Sequence, residues 1–151
     1  MMVVRMMTRG DVPEALRLMK ALAAFEGYLS DFRVTESDLL RHGFGRDRRF
    51  TALVAAMDGE TRLSGIAVLI EDAWNYQMRP TFVLKELFVD KGSRGSGVGA
   101  ALFAGAVAHC REEGAVRLRW IVLADNKPAF DFYHAQGGRA SDEWALWELG
   151  L

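Results

Sequence analysis

Apolar residues along this chain follow two spacings that alternate from one end to the other. Continuous or alternating apolar runs of about five to eight residues are typical of β-strands, and apolar residues repeating every three to four positions are typical of helices. Strands are predicted at residues 2–6, 50–57, 63–70, 81–89, 117–123 and 144–149. Helices are predicted from Pro13 to Gly27, from 35 to 43, over 98–111 and over 128–136.

Turn-forming residues mark the ends of these elements. Pro13 is tolerated in the first turn of a helix, and Gly27 and Gly114 are typical of the residue that ends one. The pair Asp58-Gly59 between two apolar runs predicts a β-hairpin. The order β-α-α-β-β-β-α-β-α-β predicts a mixed α/β domain.

Length, charge and cysteine content narrow the class of protein. A chain of 151 residues is predicted to form a single domain, residues 1–151. The 19 basic and 20 acidic side chains nearly cancel, which argues against nucleic acid and anionic membranes as partners. No apolar stretch approaches the roughly 18 residues of a membrane span. A lone cysteine, Cys110, fits a reducing compartment, so a cytoplasmic location is predicted.

A glycine-rich segment between the strand 81–89 and the helix 98–111 is the strongest chemical motif. Its sequence is Arg94-Gly95-Ser96-Gly97-Val98-Gly99, and Gly92 lies just before it. Glycines allow positive φ angles and a close approach of the backbone to a ligand. The first amides of the following helix lack intrahelical partners and carry partial positive charge, so they suit a phosphate. Arg94 is expected to add a charge-assisted donor.

Several ligands suit such a loop. A P-loop is not favoured, because no lysine follows the glycines. The frame Gly95-x-Gly97-x-x-Ala100 satisfies the loose dinucleotide fingerprint, although no acidic residue closes the next strand to hold a ribose. A glycine-rich turn that binds nothing is a further interpretation.

The pattern Arg94-x-x-Gly97-x-Gly99 after an apolar strand resembles the cofactor loop of the GCN5-related N-acetyltransferase (GNAT) superfamily. Leu84–Val89 is similar to the family's fourth strand, Val122–Ala129 to the exit of its fifth, and Phe130–Gly138 to its "FY…GG" helix end. The resemblance covers nearly the whole chain, and it implies a single-domain α/β fold with a mixed central sheet of about six to seven strands flanked by about four helices. Within the superfamily, the chain is most similar to the diamine and thialysine acetyltransferase branch, through the segments 39–45, 72–74 and 142–144.

One position departs from that branch. Where the branch carries Leu-Glu-Asp on the fourth strand, this chain has Leu84-Lys85-Glu86. A lysine that faced the site would repel a cationic polyamine.

The resemblance implies acetyl-CoA as cosubstrate and a small-molecule primary amine as acceptor, with a homodimer as the assembly. The three histidines have no metal-ligand spacing, so no metal is expected. The resemblance also implies Tyr133 as general acid for the leaving thiolate. The amine must also lose its proton before it attacks, and Glu86 is the first candidate for that general base. The implied cofactor-binding residues are Leu87, Phe88, Val89, Arg94, Gly95, Ser96, Gly97, Val98, Gly99, Ala100, Asn126, Ala129, Phe130 and Tyr133. The candidate substrate-binding residues are Glu26, Asp72, Trp74, Lys85, Asp142 and Trp144.

No serine, cysteine or histidine set has the spacing of an acyl-enzyme mechanism, so direct attack of the amine in a ternary complex is the simpler hypothesis. Two other activities share the cofactor loop. One is acetylation of protein N-termini or lysines, and the other is non-catalytic binding of an acyl-CoA.

Overall fold

A single five-stranded sheet organises the computed structural model, which describes residues 1–151. Its strands follow the chain in the order β1-β2-β3-β4-β5, with the first four antiparallel and β5 parallel to β4. They are β1 (Met2–Met6), β2 (Thr51–Met57), β3 (Leu63–Asp72), β4 (Thr81–Val89) and β5 (Arg117–Arg119). The parallel pair requires a crossover, which one helix provides.

Four α-helices accompany the sheet, as predicted. They are α1 (Val12–Glu26), α2 (Glu36–His42), α3 (Val98–Glu112) and α4 (Lys127–Ala135). Gly27 ends α1 in the left-handed conformation at φ 87°, and Thr35 begins α2 with a capping box to Asp38. No helix has the length and apolar character that crossing a membrane requires.

Two helices cover opposite faces of the sheet, which explains why β2 is buried along nearly its whole length. Leu18 of α1 belongs to one apolar cluster with Val54, Ile66 and Phe88. The opposite face contacts α3, as shown by the closeness of Gly105 to Leu53. These contacts define an α1 face and an α3 face of the sheet. Neighbouring residues of a strand point to opposite faces, and both faces here are apolar.

A β-bulge in the middle of β4 changes which residues point to each face. Val68 pairs with Glu86 and the next residue, Leu69, pairs with Leu84, so Lys85 is an extra residue in β4. Before the bulge, Phe82 points to the α3 face and contacts His109. After the bulge, the even-numbered residues of β4 point to the α1 face instead. The bulge therefore places the side chain of Glu86 on the side of α1.

The prediction of six to seven strands was too high. The run 117–123 forms a strand only over Arg117–Arg119, and 144–149 forms none. Apolar alternation predicted a strand there because it reports on side chains alone. A strand also needs a backbone hydrogen-bonding partner, which local sequence does not specify.

The chain forms two compact units, Met1–Trp120 and Ile121–Leu151. The first contains the sheet and α1 to α3. The second contains α4, and its residues Trp144 and Trp147 are largely exposed. That residues 1–151 act as one domain stays a prediction.

Candidate active site

The glycine-rich loop joins β4 to α3 through one turn of 3₁₀ helix, Lys91–Ser93. Gly95 and Gly97 adopt φ angles of 79° and 83°, in the left-handed region that favours glycine. Gly92 and Gly99 do not adopt positive φ angles, so two of the four glycines use this freedom. The hydroxyl of Ser96 donates to the carbonyl of Ser93 and closes the turn.

The start of α3 presents backbone donors without a side-chain cap. Gly97 occupies the N-cap position and contributes no capping group, and the first helical hydrogen bond runs from the amide of Ala101 to the carbonyl of Gly97 at 3.0 Å. The amides of Val98, Gly99 and Ala100 therefore point out of the helix end with no helical acceptor. Such a terminus is suited to a phosphate or pyrophosphate.

Gly65 holds this helix end close to the sheet. A Cβ added there would lie 2.8 Å from Leu102 Cδ1, 2.9 Å from the Phe88 carbonyl oxygen and 3.1 Å from Val98 Cγ1. A side chain at this position of β3 would collide with the first turns of α3. Nothing in the local sequence singles out Gly65, because the contact joins segments that are distant along the chain.

The side chain of Arg94 folds back against β4 and α1. Its Nε donates to the Val89 carbonyl at 3.1 Å, and its guanidinium carbon lies 5.5 Å from the Phe88 ring centre and 5.8 Å from that of Phe25. Both distances are in the range of cation–π contacts. The two Nη groups donate to no atom of the chain and stay available to an anionic ligand.

Asp90 anchors the start of the loop. Its Oδ2 accepts from Arg62 at 2.9 Å and lies 3.3 Å from Arg17 Nη1, while its Oδ1 accepts from the amide of Lys91. Burial favours a higher pKa for Asp90, but hydrogen bonding and charge from Arg17, joined by Arg62, hold the pKa below its usual value. Arg17 also pairs with Glu14, so this network joins α1 to the loop.

Glu86 occupies a different environment on the same strand. Its Oε2 is buried and has no hydrogen-bond partner. Burial, with a further contribution from the charge of Glu26, raises the pKa of Glu86 to about 7, although Lys85 acts in the opposite direction. Burial, together with the charges of Glu86 and Glu26, also raises the pKa of Tyr28. Because the charges of Glu26 and Glu86 act on each other and on Tyr28, these three residues are called the acidic cluster below.

Sequence reasoning missed Tyr28 and Phe25, which lie at the end of α1 beside predicted site residues. Tyr28 responds to the charge of Glu86, and Phe25 contacts the guanidinium of Arg94. Their nearness to the strand that carries Glu86 follows from the packing of α1 on the sheet. The only available sign was that these aromatic residues lie one position before and two positions after the predicted acid Glu26.

The rest of β4 is placed as the fourth-strand resemblance implies. Leu87 and Val89 are half-buried and Phe88 is buried, while Lys85 is exposed at the bulge. The structure does not place Asp72 and Trp74 near Glu86. Asp72 pairs with Thr81, about 13 Å along the strands from the Glu86 pair. Its carboxylate accepts from the backbone amide of Trp74, whose side chain is 71% exposed.

The remaining predicted residues lie in the second unit. Asn126 is the N-cap of α4, and its side-chain oxygen accepts from the amide of Ala129 at 3.3 Å. Tyr133 and Phe132 of this helix have ring centres 5.2 Å apart in an edge-to-face arrangement. Phe130 is exposed, and so are Asp142 and Trp144 beyond the helix. Among the residues of both units, no group of histidine, cysteine or carboxylate side chains has the arrangement of a metal site.

Comparison with known proteins adds sequence relatives. A thialysine N-epsilon-acetyltransferase of Sus scrofa is 28% identical over 152 residues, covering 95% of this chain and 88% of that protein. A spermidine/spermine N(1)-acetyltransferase-like protein 1 of Homo sapiens is 27% identical over 147 residues, covering 93% of this chain. This chain spans only 21% of the length of that human protein. These similarities confirm the resemblance to the diamine and thialysine branch.

Solved structures share the fold at low sequence identity. An aminoglycoside acetyltransferase from an uncultured soil metagenomic sample superposes with a TM-score of 0.82 at 18% identity, over 99% of this chain and 96% of that one. A Trypanosoma brucei acetyltransferase gives a TM-score of 0.74, also at 18% identity, over 99% of this chain and all of the other. The predicted α/β fold class is thereby confirmed.

The family model described as the acetyltransferase (GNAT) family matches residues 17–137, a span that runs from α1 through the glycine loop to the end of α4. The family uses acetyl-CoA as cosubstrate, and the loop, with its two left-handed glycines and uncapped helix start, is suited to the pyrophosphate of that molecule. This chain is an acyltransferase that belongs to the GNAT acetyltransferase family.

Proposed function

We propose that this enzyme transfers the acetyl group of acetyl-CoA to a primary amine of a small molecule, by direct attack within a ternary complex. The observation that carries the proposal is the acidic cluster of Glu26, Tyr28 and Glu86, which lies on the same strand-and-helix surface as the cofactor loop. An ammonium group is attracted to such a cluster, because two carboxylates and a phenol offer it acceptors.

Glu86 is the proposed general base. An alkylamine with a pKa near 10 is neutral in only about one molecule in a thousand at pH 7, so its proton must be removed before it attacks. A base works best when its pKa lies near the working pH, and the pKa of Glu86 is about 7. Its buried Oε2 has no partner in the chain and is free to accept that proton.

The reaction then requires one bond to form and one to break. The amine nitrogen bonds to the thioester carbonyl carbon, the carbon–sulfur bond breaks, and the sulfur leaves as a thiolate that takes a proton. We propose Tyr133 as the donor of that proton, on the basis of its position in the family's "FY…GG" motif. A phenol with an ordinary pKa near 10 is protonated at neutral pH and can donate to a thiolate.

The acceptor is proposed to be an amine of the kind that names the relatives: a polyamine, thialysine or an aminoglycoside. Polyamines are the least favoured of these, since Lys85 adds a positive charge beside the cluster. The test is a panel of amines, including lysine and amino-acid α-amines, assayed with acetyl-CoA for release of coenzyme A. Acetylation of a protein N-terminus at a higher kcat/KM than any small amine would overturn the proposal.

Tyr133→Phe tests the acid. We expect kcat to fall roughly 10²–10⁴-fold while the Kd of acetyl-CoA, measured by calorimetry, stays nearly unchanged. Phe132→Leu on the same helix is the control for packing. Unchanged turnover in Tyr133→Phe would remove this residue from the mechanism.

We also propose a homodimer and a cytoplasmic location. The homodimer follows from the branch resemblance, and the cytoplasmic location follows from the single cysteine, Cys110, which is free and buried. Light scattering of the purified chain tests the first, and a single-copy mass would exclude it.

A further inference from the structure

A cavity opens on the α3 face of the sheet, near the start of β4. Its volume is about 370 Å³, within the range typical of small-molecule sites. Its floor is formed by the buried residues Thr51, Leu69 and Phe82. Phe82 lies about 23 Å along β4 from Val89, where the glycine loop begins. The cavity is therefore separate from the cofactor loop and from the acidic cluster.

The rim of this cavity carries charges that the protein itself leaves unpaired. Arg46, Arg49, Glu71 and Glu113 line it and are exposed. None of the four takes part in an ion pair of the chain, although both signs share one small opening. Arg48 differs from its neighbours, because its guanidinium donates to Thr51 Oγ1 and to the Gly45 carbonyl. Two guanidiniums and two carboxylates remain available to a ligand.

His109 supplies a second, independent observation. It lines the same cavity, and its Nε2 is buried without a hydrogen-bond partner. Its ring packs edge-to-face on Phe82, with ring centres 5.7 Å apart, so the imidazole is held in place. A buried nitrogen without a partner is unfavourable unless a ligand or water completes it.

We propose that this cavity binds a small zwitterion, with its oxyanion on Arg46 and Arg49 and its ammonium group toward Glu71 and Glu113. Guanidinium groups bind oxyanions through two parallel hydrogen bonds. Carboxylates and the aromatic rings of Phe50 and Phe82 attract an ammonium. A simple anion would leave the two glutamates unpaired, and a simple cation would leave the two arginines unpaired. The site is additional to the acetyl-transfer site and holds whether or not the proposed acceptor is right.

Glycine betaine is a suitable probe, because its quaternary nitrogen cannot accept an acetyl group. Binding is measured by calorimetry with coenzyme A present at saturation, so that the phosphate-binding loop is filled. Two probes of similar size carry one charge each: 3,3-dimethylbutyrate has only the carboxylate and choline only the cation. We expect saturable binding of betaine, at least about tenfold tighter than either single-charge probe, since each loses one charged contact. No saturation by tens of millimolar betaine, or equal affinity for all three probes, would overturn the proposal.

Charge-removing variants locate the site. Arg49→Gln and Glu113→Gln are each expected to weaken betaine about tenfold. The controls are Arg41→Gln on α2 and Glu112→Gln, the exposed neighbour of Glu113. All four residues are exposed, so each variant is expected to fold, which circular dichroism checks. If the controls weaken betaine as much as the rim variants, the ligand is bound elsewhere and the proposal fails.

Discussion

Asp90 and Glu86 lie four residues apart at one end of β4, yet the protein treats the two carboxylates in opposite ways. Asp90 contacts two guanidiniums, which keep its pKa low in spite of burial. Glu86 is more deeply buried, faces a second carboxylate, and has a pKa of about 7. A paired carboxylate stays an anion and fixes structure, whereas an unpaired one exchanges its proton near neutral pH. Asp90 therefore serves to hold the glycine-rich loop, whereas Glu86 is suited to proton transfer.

The largest effect is expected from Glu86→Gln. The amide keeps the shape of the side chain but cannot accept the proton of the amine, so kcat/KM should fall roughly 10²–10⁴-fold. In the wild type, kcat/KM should rise with pH through about 7, because only ionised Glu86 acts as a base. Steady-state kinetics across pH measures both effects. A variant that retains both the rate and this rise would exclude Glu86 as the base.

The substitution Glu86→Gln is also expected to change the stability of the protein. Folding raises the pKa of Glu86 from 4.5 to about 7, so the folded state holds the proton more tightly than the unfolded one. This residue therefore favours folding most below pH 4.5, and that contribution is lost as pH rises through 7. At alkaline pH we expect Glu86→Gln to raise the free energy of unfolding by up to about 3 kcal/mol.

Urea denaturation of both proteins on either side of this interval measures the difference. The increase in the free energy of unfolding caused by Glu86→Gln should shrink as pH falls toward 4.5. At that pH Glu86 takes up a proton in the unfolded state as well as in the folded state. A gain that does not depend on pH would show that removal of charge is not its cause.

Asp90→Asn should act on binding rather than on chemistry. Loss of its two ion pairs releases the start of the loop, so we expect KM for acetyl-CoA to rise about tenfold with kcat nearly unchanged. Asp47→Asn, an exposed position outside the loop, is the matched control. A large drop in kcat without a change in KM would contradict the proposal that Asp90 acts on binding and Glu86 on chemistry.

The smallest effect is expected from Arg62→Gln. The side chain of Arg62 is 67% exposed, and exposed ion pairs contribute less than about 1 kcal/mol. Arg17 would still hold Asp90, since it is also fixed by Glu14. The measurement is again urea denaturation. A loss as large as that of Asp90→Asn would mean that Arg62, and not Arg17, is the principal partner.

The sequence was sufficient for the elements that depend on local pattern. Helix α1 ends at Gly27 as predicted, the hairpin at Asp58-Gly59 joins β2 to β3, and the glycine loop opens α3. Each of these features depends on the conformational preference of one or two residues, so it can be read from a short stretch of sequence. The family resemblance rested on the same local motifs, and the family match confirms it.

The features that the sequence did not predict depend on contacts between distant segments. The burial of Glu86 beside Tyr28 requires α1 to pack on the sheet, and the tight fit at Gly65 requires α3 to pack on the other face. The run 144–149 was predicted as a strand from its alternation and forms none. Asn126 was predicted to bind the cofactor, and the structure shows its side chain capping α4. Whether it also contacts the cosubstrate stays a prediction.

The extra residue in β4 makes the position of Glu86 sensitive to chain length rather than to side-chain identity. Removing Lys85 would let the two strands pair without interruption, and every residue on one side of the deletion would rotate to the other surface of the sheet. A deletion of one codon could thus carry the carboxylate from the α1 side to the α3 side while leaving the glutamate itself intact. A point substitution in this part of β4 does not move the carboxylate to the other face. Insertions and deletions here should therefore be far rarer than substitutions among active variants.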